Sequence, residues 1–139
     1  QCWEVKEDWG GITANQGDLY YDIWALRHQY WCPMDCMLQI KEMKKICDEK
    51  SAHNLAVWSK NIHIDPKAGL IPVESAFGGF AIYTRDAYLS GSYIGIAPDG
   101  SQVCEHVYFH KKLHEAGHKI FINSALVNCV TCCGVKFVN

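Results

Sequence analysis

The stretch between residues 75 and 123 constrains the fold of this chain more than any other. Residues 75–83, Ser-Ala-Phe-Gly-Gly-Phe-Ala-Ile-Tyr, are a turn of small residues that leads into an apolar strand. Residues 103–110, Val-Cys-Glu-His-Val-Tyr-Phe-His, begin a helix that should end at Gly117, and residues 118–123 follow as a further strand. Glycine has no Cβ, so the paired glycines allow a ligand to approach the backbone. This order predicts an α/β fold in which the turn and the helix form two walls of one cleft.

The first turn of that helix carries a carboxylate, Glu105. A helix dipole favours the ionised form of a carboxylate at this position, and an ionised carboxylate can act as a general base. The neighbouring imidazole of His106 can serve the same purpose. Glu105 and His106 are therefore the candidate catalytic residues.

A second informative segment covers residues 19–26, Leu-Tyr-Tyr-Asp-Ile-Trp-Ala-Leu, after a turn signal at residues 15–18. Its aromatic and branched residues predict a strand, on which Asp22 and Trp24 would share one face. A buried carboxylate without a partner costs free energy, so Asp22 requires either a ligand or an ion pair, for which Arg27 is the obvious candidate. The sequence leaves both interpretations open.

The remaining elements complete a mixed α/β pattern over a single domain, residues 1–139. Pro33 and Asp35 predict the start of a helix. We also expect a short strand at residues 12–14, a short helix around residues 56–58, a short strand at residues 62–64 and a mobile loop at residues 93–102 that can close over a substrate. The helix that begins near Asp35 should bury one face, made of Cys36, Ile40, Met43 and Cys47.

Composition excludes several classes of protein. The 139 residues are 49% hydrophobic and 20% charged, which is ordinary for one globular domain. The net charge of −2 and the lack of a basic run argue against a nucleic-acid surface. No apolar run reaches the ~18 residues of a membrane span. Gln1 is not a natural start, so we expect a processed or truncated chain.

The chain has eight cysteines, which favour buried, mostly reduced thiols and a cytoplasmic location over a set of disulfides. Two patterns have metal-ligand spacing: the histidines 106, 110, 114 and 118, and the cysteine pairs 32/36 and 129/132. The histidine pattern is better explained by a partly exposed helix face, and the cysteine pattern by thiols that share no metal.

Three segments in this order resemble a group of glycosyltransferases: residues 20–27 (Tyr-Tyr-Asp-Ile-Trp-Ala-Leu-Arg), residues 75–83 and residues 104–110, followed by residues 120–123. The group includes bacterial and large-DNA-virus enzymes and is distantly similar to fungal capsule mannosyltransferases, in which a Tyr-Asp-x-Trp/Phe-Ala-x-Arg segment recurs. The resemblance covers about residues 10–125. It implies the GT-A nucleotide-sugar fold, whose N-terminal half binds the nucleotide and whose C-terminal half binds the acceptor.

The resemblance also implies roles for individual residues. Glu105 stands at the place of the carboxylate that deprotonates the acceptor hydroxyl in inverting members, with His106 as the alternative. The acceptor side would be lined by Asp22, Trp24 and Arg27, and the turn against the donor sugar and acceptor would be formed by Phe77, Gly78 and Gly79.

One departure from the group matters. Its members hold Mn²⁺ or Mg²⁺ with an Asp-x-Asp motif in the donor half, and this chain has no Asp-x-Asp. A donor half would need on the order of 100 further residues. The chain therefore resembles the acceptor half of a glycosyltransferase, which would move a hexose or deoxyhexose from a nucleotide-sugar to a glycan hydroxyl once a donor half is supplied in cis or in trans. The alternatives are a non-catalytic glycan-binding or assembly module and a small cysteine-rich zinc or disulfide domain.

Overall fold

The computed structural model describes residues 5–129, and the side chains of residues 5–128. Four strands and four α-helices make up this part of the chain, with a short 3₁₀ turn at Trp58–Lys60. The strands are β1 (Gly11–Gln16), β2 (Leu70–Val73), β3 (Ala81–Tyr83) and β4 (Ile120–Cys129), and the helices are α1 (Cys36–Met43), α2 (Glu49–Ala56), α3 (Arg85–Ser90) and α4 (Glu105–Glu115).

The strands form one mixed sheet in the order β2-β4-β1-β3. The central strands β1 and β4 run parallel, whereas β2 pairs antiparallel with β4 and β3 pairs antiparallel with β1. Every residue of β1 is buried, as expected for a central strand covered on both faces. A mixed α/β sheet flanked by helices is therefore confirmed.

Helix α4 packs on this sheet through Phe109 and Leu113, both of which are fully buried. They join a core that includes Ile120 and Ile122 of β4. Burying a large apolar side chain contributes roughly 1.5–3 kcal/mol, so this contact fixes the helix on the sheet. The helix ends before Gly117, which has a φ of +88°, a value that favours glycine. The predicted end of the helix is confirmed.

The helix predicted near Asp35 is also confirmed, with a later start than Pro33. The Asp35 side chain caps α1 by accepting hydrogen bonds from the backbone N–H groups of Met37 and Leu38. Cys47 follows the end of the helix and is only partly buried. The next helix, predicted around residues 56–58, begins earlier at Glu49, because Asp48 caps it through the N–H of Ser51.

The predicted strand at residues 19–26 is wrong. Tyr20 pairs with Ile62 and Arg27 with Ser75 through single bridges, and the chain turns between them at residues 23–25. This turn interrupts the extended backbone that a strand over residues 19–26 requires. Residues 62–64, also predicted as a strand, contribute only the bridge from Ile62.

Candidate functional site

The glycine turn is held against β1 and against Asp22. The backbone N–H of Gly78 donates a hydrogen bond of 3.0 Å to Asp22 Oδ2. Gly78 has a φ of +66°, and a Cβ at this position would overlap the carbonyl oxygen of Ala14. Asn128 Nδ2 donates to the Gly78 carbonyl at 3.2 Å. Glycine is required here because the turn lies directly on the strand.

The first turn of α4 lies against the same turn. The ring of His106 stacks on Phe77 with a centroid separation of 3.9 Å and an interplanar angle of 14°. His106 Nε2 lies 3.7 Å from Glu105 Oε1, which is too long for a hydrogen bond. Tyr93 presents its ring edge-on to His106 at 5.8 Å. The turn and the helix, predicted as two walls of one cleft, are in direct contact.

Electrostatic coupling links Asp22 to this cluster. Burial raises the pKa of Asp22, while hydrogen bonds from the backbone of Gly78 and Ala25 and the charge of His106 oppose the rise. Burial lowers the pKa of His106, and the carboxylates of Glu105 and Asp22 oppose this shift. The imidazole of His106 is therefore mainly neutral at pH 7. Its Nδ1 is buried and has no hydrogen-bond partner among the described residues.

Arg27 does not pair with Asp22. Its guanidinium forms an ion pair with Asp35, the cap of α1, and donates to the carbonyls of Trp24 at 3.0 Å and Leu26 at 2.7 Å. The hypothesis of a structural Asp22–Arg27 pair is thus wrong, because Arg27 extends towards α1. Asp22 is stabilised instead by the backbone of the glycine turn.

Exposed aromatic side chains lie on the segments that contribute to the cluster or contact it. The side chain of Trp24 is 38% exposed, on the segment that carries Asp22, and that of Tyr93 is 47% exposed. The Tyr21 hydroxyl lies near Gly79, 3.9 Å from the place of a Cβ on that glycine. Large aromatic rings with one polar atom offer flat apolar faces beside hydrogen-bonding groups. Tyr93 and Asn128 lie in no recognisable motif, so the sequence alone did not identify them as site residues.

One turn further along α4, His110 is fully buried. Its Nδ1 lies 2.8 Å from Ser75 Oγ, and its Nε2 lies 2.8 Å from the Tyr83 hydroxyl. Burial lowers the pKa of His110 to about 3. The prediction of a partly exposed histidine face is wrong for His110 and holds for His114, which is exposed.

The described side chains, those of residues 5–128, contain no group of three or more His, Cys, Asp or Glu that could hold a metal ion. Cys32, Cys36, Cys47 and Cys104 are free thiols. The hypothetical zinc site that includes Cys129 and Cys132 lies outside the described side chains.

An open groove of about 810 Å³ borders the cluster on the outer side of α4. Its walls are α1, residues 94–103 and the α4 face that carries Val107 and Tyr108, and Arg27 and Asp35 also line it. Cys104, the residue before Glu105, lines it as well. The groove therefore reaches the residue next to the candidate base.

The chain matches no family model, and comparisons with curated proteins and with solved structures give no match either. No helix in the described range is long and apolar enough to cross a membrane. Any assignment of function must come from the geometry of the site.

Proposed function

We propose that this chain is the acceptor-binding part of a GT-A-type glycosyltransferase, which moves a sugar from a nucleotide-sugar to a glycan hydroxyl. The observation that carries the proposal is the meeting of three segments that are far apart in the sequence. Asp22 accepts a hydrogen bond from Gly78, and Phe77 stacks on His106 beside Glu105. These are the segments on which the resemblance to glycosyltransferases rests.

Asp22 and Trp24 supply the two kinds of contact that a sugar requires. A carboxylate has about four acceptor positions, and the backbone N–H groups of Gly78 and Ala25 use two of those on Asp22. The remaining positions can accept hydrogen bonds from sugar hydroxyls. The exposed indole of Trp24 offers a flat apolar surface for a sugar ring.

Glu105 is the preferred general base. It lies in the first turn of α4, its side chain is 46% exposed, and no side chain caps this helix end. The distance of 3.7 Å to His106 leaves the carboxylate available to a hydroxyl. His106, being mainly neutral, is the second candidate.

The metal that the resemblance implies has no fitting ligand set among residues 5–128. On this proposal Mn²⁺ or Mg²⁺ would be held by the donor half.

The test is the substitution Glu105→Gln in the protein as its gene encodes it. The variant keeps the shape of the side chain and removes the base, so kcat should fall by roughly 10²- to 10⁴-fold. Transfer of radiolabelled sugar to an acceptor measures kcat, and thermal unfolding measures stability.

Glu115→Gln is the matched control, because Glu115 lies at the other end of α4, where it pairs with Lys112. Near-normal turnover in Glu105→Gln, with a stability loss of at most about 1 kcal/mol, would show that Glu105 merely complements the helix dipole. If His106→Ala is inactive and Glu105→Gln is active, the base is His106. A protein without any transfer activity but with oligosaccharide binding would be a glycan-binding module.

A further inference from the structure

The groove on the outer side of α4 has a size and lining typical of a small-molecule site. Its volume of about 810 Å³ lies within the range of roughly 300–1,000 Å³ that ligand pockets occupy. Three of its lining side chains are apolar and more than half exposed: Ile96 at 65%, Met37 at 55% and Leu38 at 51%. Exposed apolar side chains that converge on one concavity indicate a binding surface.

Both long walls of the groove are held in place without a ligand. In the loop wall, Ile96 forms a bridge with Gln102, and the N–H of Val103 donates to the carbonyl of Gly95 at 3.1 Å. Asp99 Oδ1 accepts from the N–H of Ser101 at 2.9 Å. The opposite wall, α1, is fixed at its first turn by the ion pair between Arg27 and Asp35. The groove is therefore preformed.

Positively charged side chains outnumber negatively charged ones along the groove. Lys41 of α1 and Lys111 of α4 line it, and neither forms an ion pair with any side chain that the structure describes. The carboxylate of Asp99 is engaged by Ser101, and Lys41 helps to lower its pKa. Arg27 and Asp35 neutralise each other. The lining thus carries one net positive charge, whereas the whole chain has a net charge of −2.

We propose that the groove binds the hydrocarbon chain of an anionic amphiphile, with its charged head held by Lys41 and Lys111. Apolar walls favour the chain, and two lysines that form no ion pair with the described side chains favour a phosphate-like head group. Lys111 lies about 9 Å along α4 from Glu105, and Cys104, the residue before Glu105, lines the groove, so a sugar that extends from the head group towards Cys104 reaches the candidate base. On the proposed function, on which this last step rests, the acceptor is a lipid-linked sugar.

The experiment titrates the 139-residue chain with decyl phosphate at concentrations at which the amphiphile is monomeric. Binding is followed by calorimetry and by the NMR shifts of the methyl groups of Met37, Leu38 and Ile96. Leu38→Glu places a carboxylate in the apolar wall and should weaken binding at least about tenfold. The double variant Lys41→Glu/Lys111→Glu should abolish the preference for decyl phosphate over decyl maltoside, which has a neutral head group.

Matched controls lie outside the groove. Ile46→Glu changes an exposed apolar residue, and Lys67→Glu an exposed lysine, and neither residue lines the groove. Both should bind as the unmodified chain does. Unchanged affinity in Leu38→Glu would overturn the proposal, and equal binding of decyl maltoside by the unmodified chain would overturn its anionic part. A dimer in sedimentation that Leu38→Glu dissociates would show that a second copy covers the groove instead.

No sugar donor is present in this titration, so its result is separate from that of the transferase assay. Binding of decyl phosphate without any transfer activity would support the proposed groove ligand and contradict the proposed glycosyltransferase function. Transfer activity without such binding would support the glycosyltransferase function and contradict the lipid-linked acceptor.

Discussion

His110 shows how a single buried residue joins separate parts of the candidate site. It lies on the helix that carries Glu105, bonds to Ser75 at the start of the glycine-turn segment, and bonds to Tyr83 on β3. The backbone of Ser75 is in turn paired with Arg27. Burial keeps this imidazole uncharged, and a neutral imidazole donates to one of the two hydroxyls and accepts from the other.

This arrangement predicts a pH-dependent stability. The pKa of His110 is lowered from 6.5 to about 3 on folding, so the unfolded chain binds more protons between these values. The contribution of His110 to the free energy of unfolding should be complete above pH 6.5 and decline as the pH falls towards 3. His110→Phe keeps a ring but leaves two hydroxyls without partners, and should cost about 1–3 kcal/mol at pH 7.5.

Urea unfolding of both proteins at pH 7.5 and pH 5 measures this effect. The cost of His110→Phe should be smaller at pH 5, because the unmodified protein has by then lost part of the contribution of His110. His106 is present in both proteins, so its own effect cancels in the comparison. An equal cost at both pH values would contradict the assignment.

The individual residues of the site show what the sequence can and cannot predict. Motif spacing identified Asp22, Gly78, Glu105 and His106, and all four lie in one cluster. It did not predict that Arg27 pairs with Asp35, because the direction of a long side chain depends on the turn at residues 23–25. Helical spacing placed His110 correctly on α4 but did not reveal its burial, which depends on the sheet.

Among the helices, α1 and α4 were predicted, whereas α2 begins seven residues earlier than expected and α3 was not predicted. Capping residues and a terminal glycine are local signals, and they located the ends of α1 and α4 to within a few residues. Residues 19–26 have the composition of a strand but no neighbour to pair with beyond single bridges. Strand formation depends on partners elsewhere in the chain, which composition does not identify.

The glycine turn should tolerate no side chain at Gly78. Gly78→Ala introduces a Cβ that overlaps the Ala14 carbonyl and that disfavours the positive φ. The turn must move away from β1, which should lower the free energy of unfolding by at least about 2 kcal/mol and weaken oligosaccharide binding. Gly95→Ala is the control, because a Cβ there meets open space. Chemical unfolding and NMR titration with oligosaccharides measure the two effects, and equal behaviour of the two variants would refute the structural role of Gly78.

For the molecule as a whole, the proposal predicts selective binding by the 139-residue chain. It should bind oligosaccharides at Trp24 but should not bind UDP- or GDP-sugars tightly, even with Mn²⁺. Phosphate groups of a donor normally require a metal or a cluster of cations, and residues 5–128 contain no metal-binding group. Calorimetry with both kinds of ligand tests this prediction.

Trp24→Ala should abolish the oligosaccharide signal, whereas Trp58→Ala should not. Trp58 is similarly exposed, at 43% against 38%, but belongs to the 3₁₀ turn after α2. Micromolar affinity for a nucleotide-sugar would mean that the chain has its own donor site and is not an acceptor half.

The pairing of β1 with β4 also bears on how the protein is made. These two strands form the centre of the sheet, and Thr13 bonds to Phe121 across 108 positions of the sequence. Contacts between such distant residues form slowly, because the long loop between them must first close. On the ribosome, β1 emerges early and has no partner in the sheet centre until β4 is synthesised. We therefore expect the nascent chain to depend on chaperones, and its folding to finish only after β4 has left the exit tunnel.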